Sequence, residues 1–431
     1  MVILYTIVFL ASLIIAIMIG MPIAHSLLFT AVTTAGTIGG SATNPQIIAA
    51  QLMRGTDSVA MMALPFFILV GELMNKGGLT KRIINFCNIF VGRVKGGLGY
   101  VTIFACLMFA SLVGSAVAST AALGAILIPM MVKSGYDRDE SSALLASSNL
   151  VSPIMPPSCP MIVYGVTAGV SIKSLFLGGI APAVYLTILM CVVWFFISHK
   201  QGIRTEMPPM TVKYVIHTLM DGLLALALPL IIIFGLRAGV FTATEAGVVA
   251  VVYALVVGLF VYREMKIKDV IKAFMSAAKM SAVVMFLAAT AQVAAYVLTI
   301  SRIPQLVTQS LHPLIEHPML LNIILQIIII AMGTCIDVTP TILIMTPIML
   351  PLLKAAHIDL VYFGVVFTLA NVLGLTSPPV GPVLNVACAT GKTKMDKLVP
   401  KVLPYYIPQV LLVFLLILVP ELVTIPMRWL S

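Results

Sequence analysis

The sequence predicts an all-α polytopic membrane protein, and three observations carry that prediction. Hydrophobic residues make up 61% of the 431 and charged residues only 9%, against roughly 25% charged in an ordinary soluble domain. Apolar stretches of about 20 residues, the length a helix needs to cross a ~30 Å hydrocarbon core, recur along the whole chain. The two halves also repeat one another at a constant displacement, with proline and glycine interrupting apolar spans in both.

The first stretch, Val2 to Gly20, lacks a basic segment before it and runs into Met21-Pro22 without a small-residue cleavage site. It reads as a retained helix, not a removed leader. Helices are expected at roughly 3–20, 23–40, 58–75, 141–168, 174–197, 222–236, 244–262, 277–300, 361–390 and 403–425, with re-entrant hairpins near 98–132 and 318–353. Of the 25 Lys and Arg, six (Arg54, Lys173, Arg237, Arg302, Lys354 and Arg428) fall in one set of loops and the other 19 in the opposite set. Under the positive-inside rule the larger set is cytoplasmic, which places both termini outside the cytoplasm. The net charge of +10 is thus a matter of topology. It gives no nucleic-acid surface, because the basic residues form no long run or face.

Asn149, Pro156, Pro157, Pro160 and Gly169 recur 222 residues later as Asn371, Pro378, Pro379, Pro382 and Gly391. An ungapped N-x6-P-P-x2-P inside apolar spans marks an internal repeat. The loop charges put the base of the first hairpin in the cytoplasm and that of the second outside, so the repeats are inverted. Residues 1–75 are read as N-terminal scaffold helices and 76–198 as the first repeat. Residues 199–297 are scaffold helices and linker, and 298–431 the second repeat with a C-terminal scaffold helix. Inverted repeats with interrupted helices near the midplane are the architecture of many secondary transporters.

Each repeat carries two breaks. One is a small-residue hairpin tip, at Gly114-Ser115 and at Gly333 to Asp337. The other is a proline-rich interruption, at Ser152 to Pro160 and Gly374 to Pro382. Proline lacks an N–H and cannot continue the helical ladder, and the carbonyls it frees are costly in hydrocarbon unless buried in protein or turned on a ligand. Unwound carbonyls with Ser and Thr hydroxyls suit sodium, and half-helix N-termini suit an anionic solute. Packed, merely kinked helices are the plainer alternative for any single break. Asp337 is an ionisable residue at membrane depth and hence a functional candidate, or a helix cap. Glu72 and Glu245 lie at span ends, where an interfacial or structural role is open. Asn149 and Asn371 are expected to tie the unwound backbone to the adjacent hairpin.

No enzyme signature competes with this. The six histidines make no H-E-x-x-H, and there is neither a P-loop nor a G-x-S-x-G elbow, so ATP hydrolysis by the P-loop route is excluded. The six cysteines sit in apolar surroundings without a C-x-x-C pair, which indicates neither a disulfide framework nor zinc. An intramembrane hydrolase would need a paired nucleophile and base, and the membrane-depth residues offer chiefly Asp337.

Several segments, G-M-P-I-A at Gly20, L-P-F-F-I-L-V-G-E-L-M-N-K-G-G at Leu64, G-S-A-V-A at Gly114, I-M-P-P-S at Ile154, Y-G-V-T-A-G-V-S-I at Tyr164, F-T-A-T-E-A at Phe241 and S-P-P-V-G at Ser377, together resemble the large membrane subunit of tripartite ATP-independent periplasmic (TRAP) transporters. The resemblance spans nearly the whole chain. It implies an elevator-type importer in the bacterial inner membrane, driven by sodium with no organic cofactor. Its implied partners are a small four-helix membrane subunit, separate because no fused four-helix segment precedes Val2, and a periplasmic binding protein that delivers a carboxylate-bearing solute.

Carried to matching positions, one sodium site comprises Val113, Gly114, Ser115, Ser152, Met155 and Pro157. The other comprises Gly333, Cys335, Asp337, Gly374, Ser377 and Pro379, with Asn149, Ser158, Asn371 and Val380 as solute-facing candidates. Ser119 and Ser152 stand where many relatives carry Asp and Gly. A stand-alone sodium/anion symporter without a binding protein is the alternative. The solute stays open among sialic acid, a C4-dicarboxylate, a keto acid and a sugar acid.

The loop asymmetry predicts that single cysteines placed at Ser134 and Thr393 are shielded from an impermeant reagent added outside the cytoplasm, while one at Ala355 is labelled. Labelling of all three from one side would contradict the inverted arrangement.

Overall fold

The computed structural model describes residues 1–201, 211–310, 312–378 and 380–430. Among the described residues there is no strand, and seven helices are long and apolar enough to cross a bilayer. The hairpins are Gly97–Val113 with Ala116–Lys133, and Pro318–Gly333 with Val338–Ala355. Gly114 ends the first arm at a φ of +64°, a left-handed conformation that glycine adopts without the penalty a Cβ brings. Ser115 then caps the returning arm, accepting from the Ala118 N–H at 3.4 Å. The residue 222 positions on is Asp337, which caps the second returning arm by accepting from the Val338 N–H at 2.8 Å. Each broken helix likewise starts on an aspartate: Asp137 accepts from Glu140 N–H and Asp359 from Tyr362 N–H. Arg138–Ser148, a short 3-10 turn at Asn149–Val151 and Cys159–Ala168 make up the first broken helix, and Leu360–Gly374 with Pro382–Gly391 the second. The peptide Pro156-Pro157 is cis.

Besides the single turn His312–Ile315, three helices lie outside the expected set: Pro45–Arg54, Leu79–Val91 and Ile303–Ser310. The last two precede the two hairpins at the repeat displacement. Leu79–Val91 buries Leu79, Ile83, Ile84, Phe86 and Cys87 while carrying Lys81, Arg82, Asn85 and Asn88. Such a short amphipathic helix is masked when hydropathy is averaged over the length of a membrane span. Val212–Arg237 and Ile267–Ile300 each begin ten residues before the expected start. Their early turns carry Lys213 and His217, and Lys268 and Lys272, residues that a bilayer core disfavours but that a helix projecting beyond it accommodates. The 34 residues of Ile267–Ile300 span ~51 Å at 1.5 Å per residue. The expected C-terminal helix divides into Met395–Leu418 and Glu421–Leu430, with Pro420 at the division.

Packing sorts the helices into two groups. Val2–Met18, Ile23–Ile38, Ala63–Lys76, Val212–Arg237, Ala243–Val256 and Ile267–Ile300 form one. The hairpins and broken helices form the other, together with Ile172–Gln201 and Met395–Leu418. Leu79–Val91 bridges them, touching Val212–Arg237 and Gly97–Val113, and Ile303–Ser310 bridges Ile267–Ile300 and Val338–Ala355.

Polar contacts stitch the second group across the repeats. Arg138 donates to the Gly391 carbonyl at 3.0 Å and Thr393 to Asp139, while buried Glu140 accepts from Tyr405 Oη at 2.8 Å and pairs with Lys401 at 3.2 Å. From the other side, Tyr164 Oη donates to the Leu360 carbonyl at 2.9 Å. The start of each broken helix is therefore bonded to the later part of the other.

One close approach in this group is backbone on backbone. A Cβ on Gly374 would collide with the Ile330 carbonyl and Gly333, and one on Gly333 with the Asn371 carbonyl. Neither obstacle is a flexible side chain. Overpacking of a tight core costs about 1–3 kcal/mol, so Gly374→Ala is predicted to lower the melting temperature of the purified chain measured without sodium. An unchanged melting curve would show that the two helices can part freely.

Candidate functional site

A cavity of about 360 Å³ lies between the two packing groups. Three helix N-termini open on it: Ser115 and Val117 from Ala116–Lys133, Cys159 and Pro160 from Cys159–Ala168, and Asp337 to Thr339 from Val338–Ala355. Each N-terminus carries the equivalent of roughly half a positive charge, although Ser115, Ser158 and Asp337 each already accept one N–H of the first turn. The opposite wall comes from Ile68, Glu72 and Asn75 on Ala63–Lys76 and from Met280 and Val284 on Ile267–Ile300. No Arg, Lys or His is among the described lining residues. An anion held here would thus be held by helix ends and not by a cationic side chain, as at other phosphate and carboxylate sites of this kind.

The residues expected around the first sodium site converge in part. The Gly114 Cα faces the first proline break so closely that a Cβ would lie 3.1 Å from the Cys159 nitrogen and 3.5 Å from the Pro157 carbonyl oxygen. Val113, Gly114 and Ser115 all line the cavity. Ser152 is fully buried and its Oγ has no hydrogen-bond partner among the described residues. Met155 is partly buried, its N–H donating to the Val151 carbonyl at 3.0 Å.

Around the second site, Gly333 and Gly374 are in backbone contact, and the Gly381 N–H donates to the Thr334 carbonyl at 3.0 Å, tying the hairpin tip to the second break. The Ser377 N–H turns back on the Gly374 carbonyl at 2.9 Å. Cys335 is exposed, and Pro379 lies outside the described residues. Asp337 lines the central cavity and caps its helix, and the cap leaves the ion-site role open.

Of the solute-facing candidates, none is among the described residues lining the cavity. Ser158 is buried as the cap of Cys159–Ala168, donating to the Pro153 carbonyl and accepting from Met161 N–H at 3.3 Å. Val380 is exposed, and its carbonyl accepts from Asn385 Nδ2 at 3.0 Å. Asn149 and Asn371 are fully buried, and neither the oxygen nor the nitrogen of either amide has a partner among the described residues. More than 90% of buried polar groups are paired, and leaving one unpaired costs about 1–3 kcal/mol. The two orphaned amides are related by the repeat displacement of 222 residues.

The scaffold wall was the less legible half. Glu72 faces the cavity with its Oε1 held by Ser276 Oγ at 2.8 Å, whereas Glu245 closes a capping box with Thr242 and so is structural. The difference lies in a tertiary contact 204 residues away in sequence, which no local pattern announces.

Comparison with known proteins agrees with this architecture. The family model described as "Tripartite ATP-independent periplasmic transporter, DctM component" matches residues 10–422. The 2,3-diketo-L-gulonate TRAP transporter large permease protein YiaN of Escherichia coli is 42% identical over 424 residues, covering 98% of this chain and 99% of that protein. The sialic acid TRAP transporter large permease protein SiaM of Vibrio cholerae is 33% identical over 402 residues, covering 93% of each. Among solved structures, the YdaH transporter of Alcanivorax borkumensis aligns with a TM-score of 0.62 over 88% of each chain at 17% identity, a likeness of fold. The chain belongs to the DctM component family of tripartite ATP-independent periplasmic transporters, and is a transport protein and not an enzyme.

Proposed function

We propose that this chain imports a small carboxylate-bearing solute across the bacterial inner membrane by sodium-coupled, elevator-type secondary transport. It does so with a small four-helix membrane subunit and a periplasmic binding protein that delivers the solute. The hairpins and broken helices are the mobile body, and the helices around Ala63–Lys76 and Ile267–Ile300 are the fixed one. By its packing, Met395–Leu418 travels with the mobile body.

The observation that carries the sodium reading is the pair of orphaned, fully buried amides at Asn149 and Asn371. Asn149 Oδ1 and Ser152 Oγ supply side-chain oxygens at the first break, and Asn371 Oδ1 with the carbonyls freed near Gly374 and Ser377 supplies them at the second. A sodium ion there would satisfy oxygens that otherwise cost free energy and would fix the hairpin tips whose N–H groups face the cavity. Ion binding and solute binding then favour one another, and by linkage each raises the other's affinity by the same factor. The solute class rests on the three helix ends that open on the cavity and on the carboxylate-bearing solutes named for the E. coli and V. cholerae relatives.

Uptake by the assembled system is predicted to require a sodium gradient and to be indifferent to ATP; uptake that persists without sodium and falls on ATP depletion at a clamped ion gradient would refute the proposal. Asp337 tests the second site separately. Asparagine still accepts a hydrogen bond as a helix cap, so Asp337→Asn is expected to leave sodium-free stability nearly unchanged. Loss of charge beside the ion should raise the sodium concentration for half-maximal uptake or stabilisation by about tenfold for each 1.4 kcal/mol removed. Asp337→Ala is expected to lose both. Normal sodium dependence in Asp337→Asn would make the carboxylate a cap alone.

A further inference from the structure

A second cavity, of about 290 Å³, lies apart from the central one, between the first arm of the second hairpin, the start of Leu360–Gly374 and the helices Met395–Leu418 and Glu421–Leu430. All of these pack within the second group of helices. The buried part of its lining is polar: Tyr362 Oη donates to the Leu416 carbonyl at 2.9 Å, Asn322 Nδ2 donates to Tyr362 Oη at 3.3 Å, and Gln326 Nε2 supports Asn322 Oδ1 from behind at 3.1 Å. The exposed part includes Asp359, whose Oδ1 accepts from the Tyr362 N–H at 2.7 Å and whose Oδ2 accepts from no donor among the described residues. No Lys, Arg or His is among the described lining residues.

The first repeat fills the corresponding space. Trp194 stands 222 residues before Leu416, and Tyr136 the same distance before Ile358. The two rings stack with centroids 6.2 Å apart, and Trp194 Nε1 donates to the carbonyl of Gly96, the counterpart of the lining residue Pro318, at 2.8 Å. The fold therefore does not require a cavity here. The second copy has Leu and Ile where the first has two rings, and Asn322 where the first has Tyr100. Beside the cavity Leu418, Leu415, Leu411, Ile407 and Leu403 are all exposed on one face of Met395–Leu418. That apolar stripe runs ~22 Å at 1.5 Å per residue, more than the ~15 Å that one leaflet contributes to a ~30 Å hydrocarbon core. A polar pocket continuous with such a stripe has the shape of a phospholipid.

We propose that this cavity holds the headgroup of a phospholipid bearing a primary amine, its ammonium donating to Asp359 and an acyl chain lying along Leu403 to Leu418. An ammonium has three N–H donors and no acceptor, the complement of a carboxylate with a free oxygen. A phosphatidylglycerol headgroup brings net negative charge to the same carboxylate, with no cation in the described lining to offset it. A choline headgroup keeps the positive charge but has no N–H to donate. Water would satisfy Asn322 and Tyr362 but would select no lipid. The site shares no residue with the two breaks or the central cavity, so it stands independently of the transport reading.

The test is native mass spectrometry of the full chain released from nanodiscs of equimolar phosphatidylethanolamine, phosphatidylglycerol and phosphatidylcholine, for the wild type, Asp359→Asn and Thr424→Phe. Asparagine still caps Leu360–Gly374, so Asp359→Asn removes the charge and keeps the helix start. Thr424 lines the cavity, and Thr424→Phe fills it while leaving Asp359 in place. The wild type should retain one phosphatidylethanolamine about tenfold over either competitor, the size expected for a hydrogen bond to a charged group. Asp359→Asn should lose that preference, and Thr424→Phe should lose the retained lipid. Retention without preference, phosphatidylcholine held as well as phosphatidylethanolamine, no retained lipid at all, or a preference that survives either variant would overturn the assignment.

Discussion

The constraint on which the rest of this structure depends is that broken backbone inside a bilayer must find partners within the protein. Each repeat interrupts a helix with prolines at membrane depth, and each brings a hairpin tip to the interruption. At the first break, Gly114 approaches Pro157 and Cys159 closely. At the second, the Gly381 N–H reaches the Thr334 carbonyl, and Gly333 meets Gly374. The hairpins therefore complete the broken helices as much as they cross the membrane, which explains why small residues cluster at the tips: anything larger than glycine at Gly333 or Gly374 would hold the backbones apart. Asn149 and Asn371, left without partners by all of this packing, mark where protein contacts end and an ion's coordination is proposed to begin.

Much of this was legible in sequence because the restraint is chemical. Proline has no N–H wherever it sits, so N-x6-P-P-x2-P located both breaks, and the run of small residues at Gly114-Ser115 located a tip. The hairpin arms begin and end within a residue or two of the expected positions. Legibility failed where charge was equated with loop. Lys268 and Lys272 lie on a helix that outruns the bilayer, and Lys81 and Arg82 on an amphipathic helix. The repeat displacement could have found Leu79–Val91 and Ile303–Ser310 as a pair, since their positions correspond. Of the site, the hairpin and break backbone was readable, but the scaffold wall was not, because the Glu72 contact with Ser276 depends on how two distant helices pack.

The amphipathic pair also clarifies how two bodies are joined. Arg82 on Leu79–Val91 pairs with Glu264 at 2.7 Å, lies 3.9 Å from Asp221, and stacks over the Tyr262 ring at 3.7 Å, while Tyr262 Oη donates to the Asp221 carbonyl at 2.6 Å. These contacts anchor one end of the bridging helix to the scaffold, and its apolar side packs on the first hairpin. A rigid anchor with an apolar opposite face would suit the proposed elevator movement, since apolar packing is non-directional and tolerates displacement.

The central claim is that sodium organises the two breaks and the tips that close on them, and hydrogen exchange of the full chain in sodium against potassium measures it most directly. The account predicts slower exchange in sodium at residues 113–118, 149–158, 333–338 and 374–381, with Ala63–Lys76 and Ile267–Ile300 unchanged. Equal exchange in the two cations throughout those four segments would contradict it.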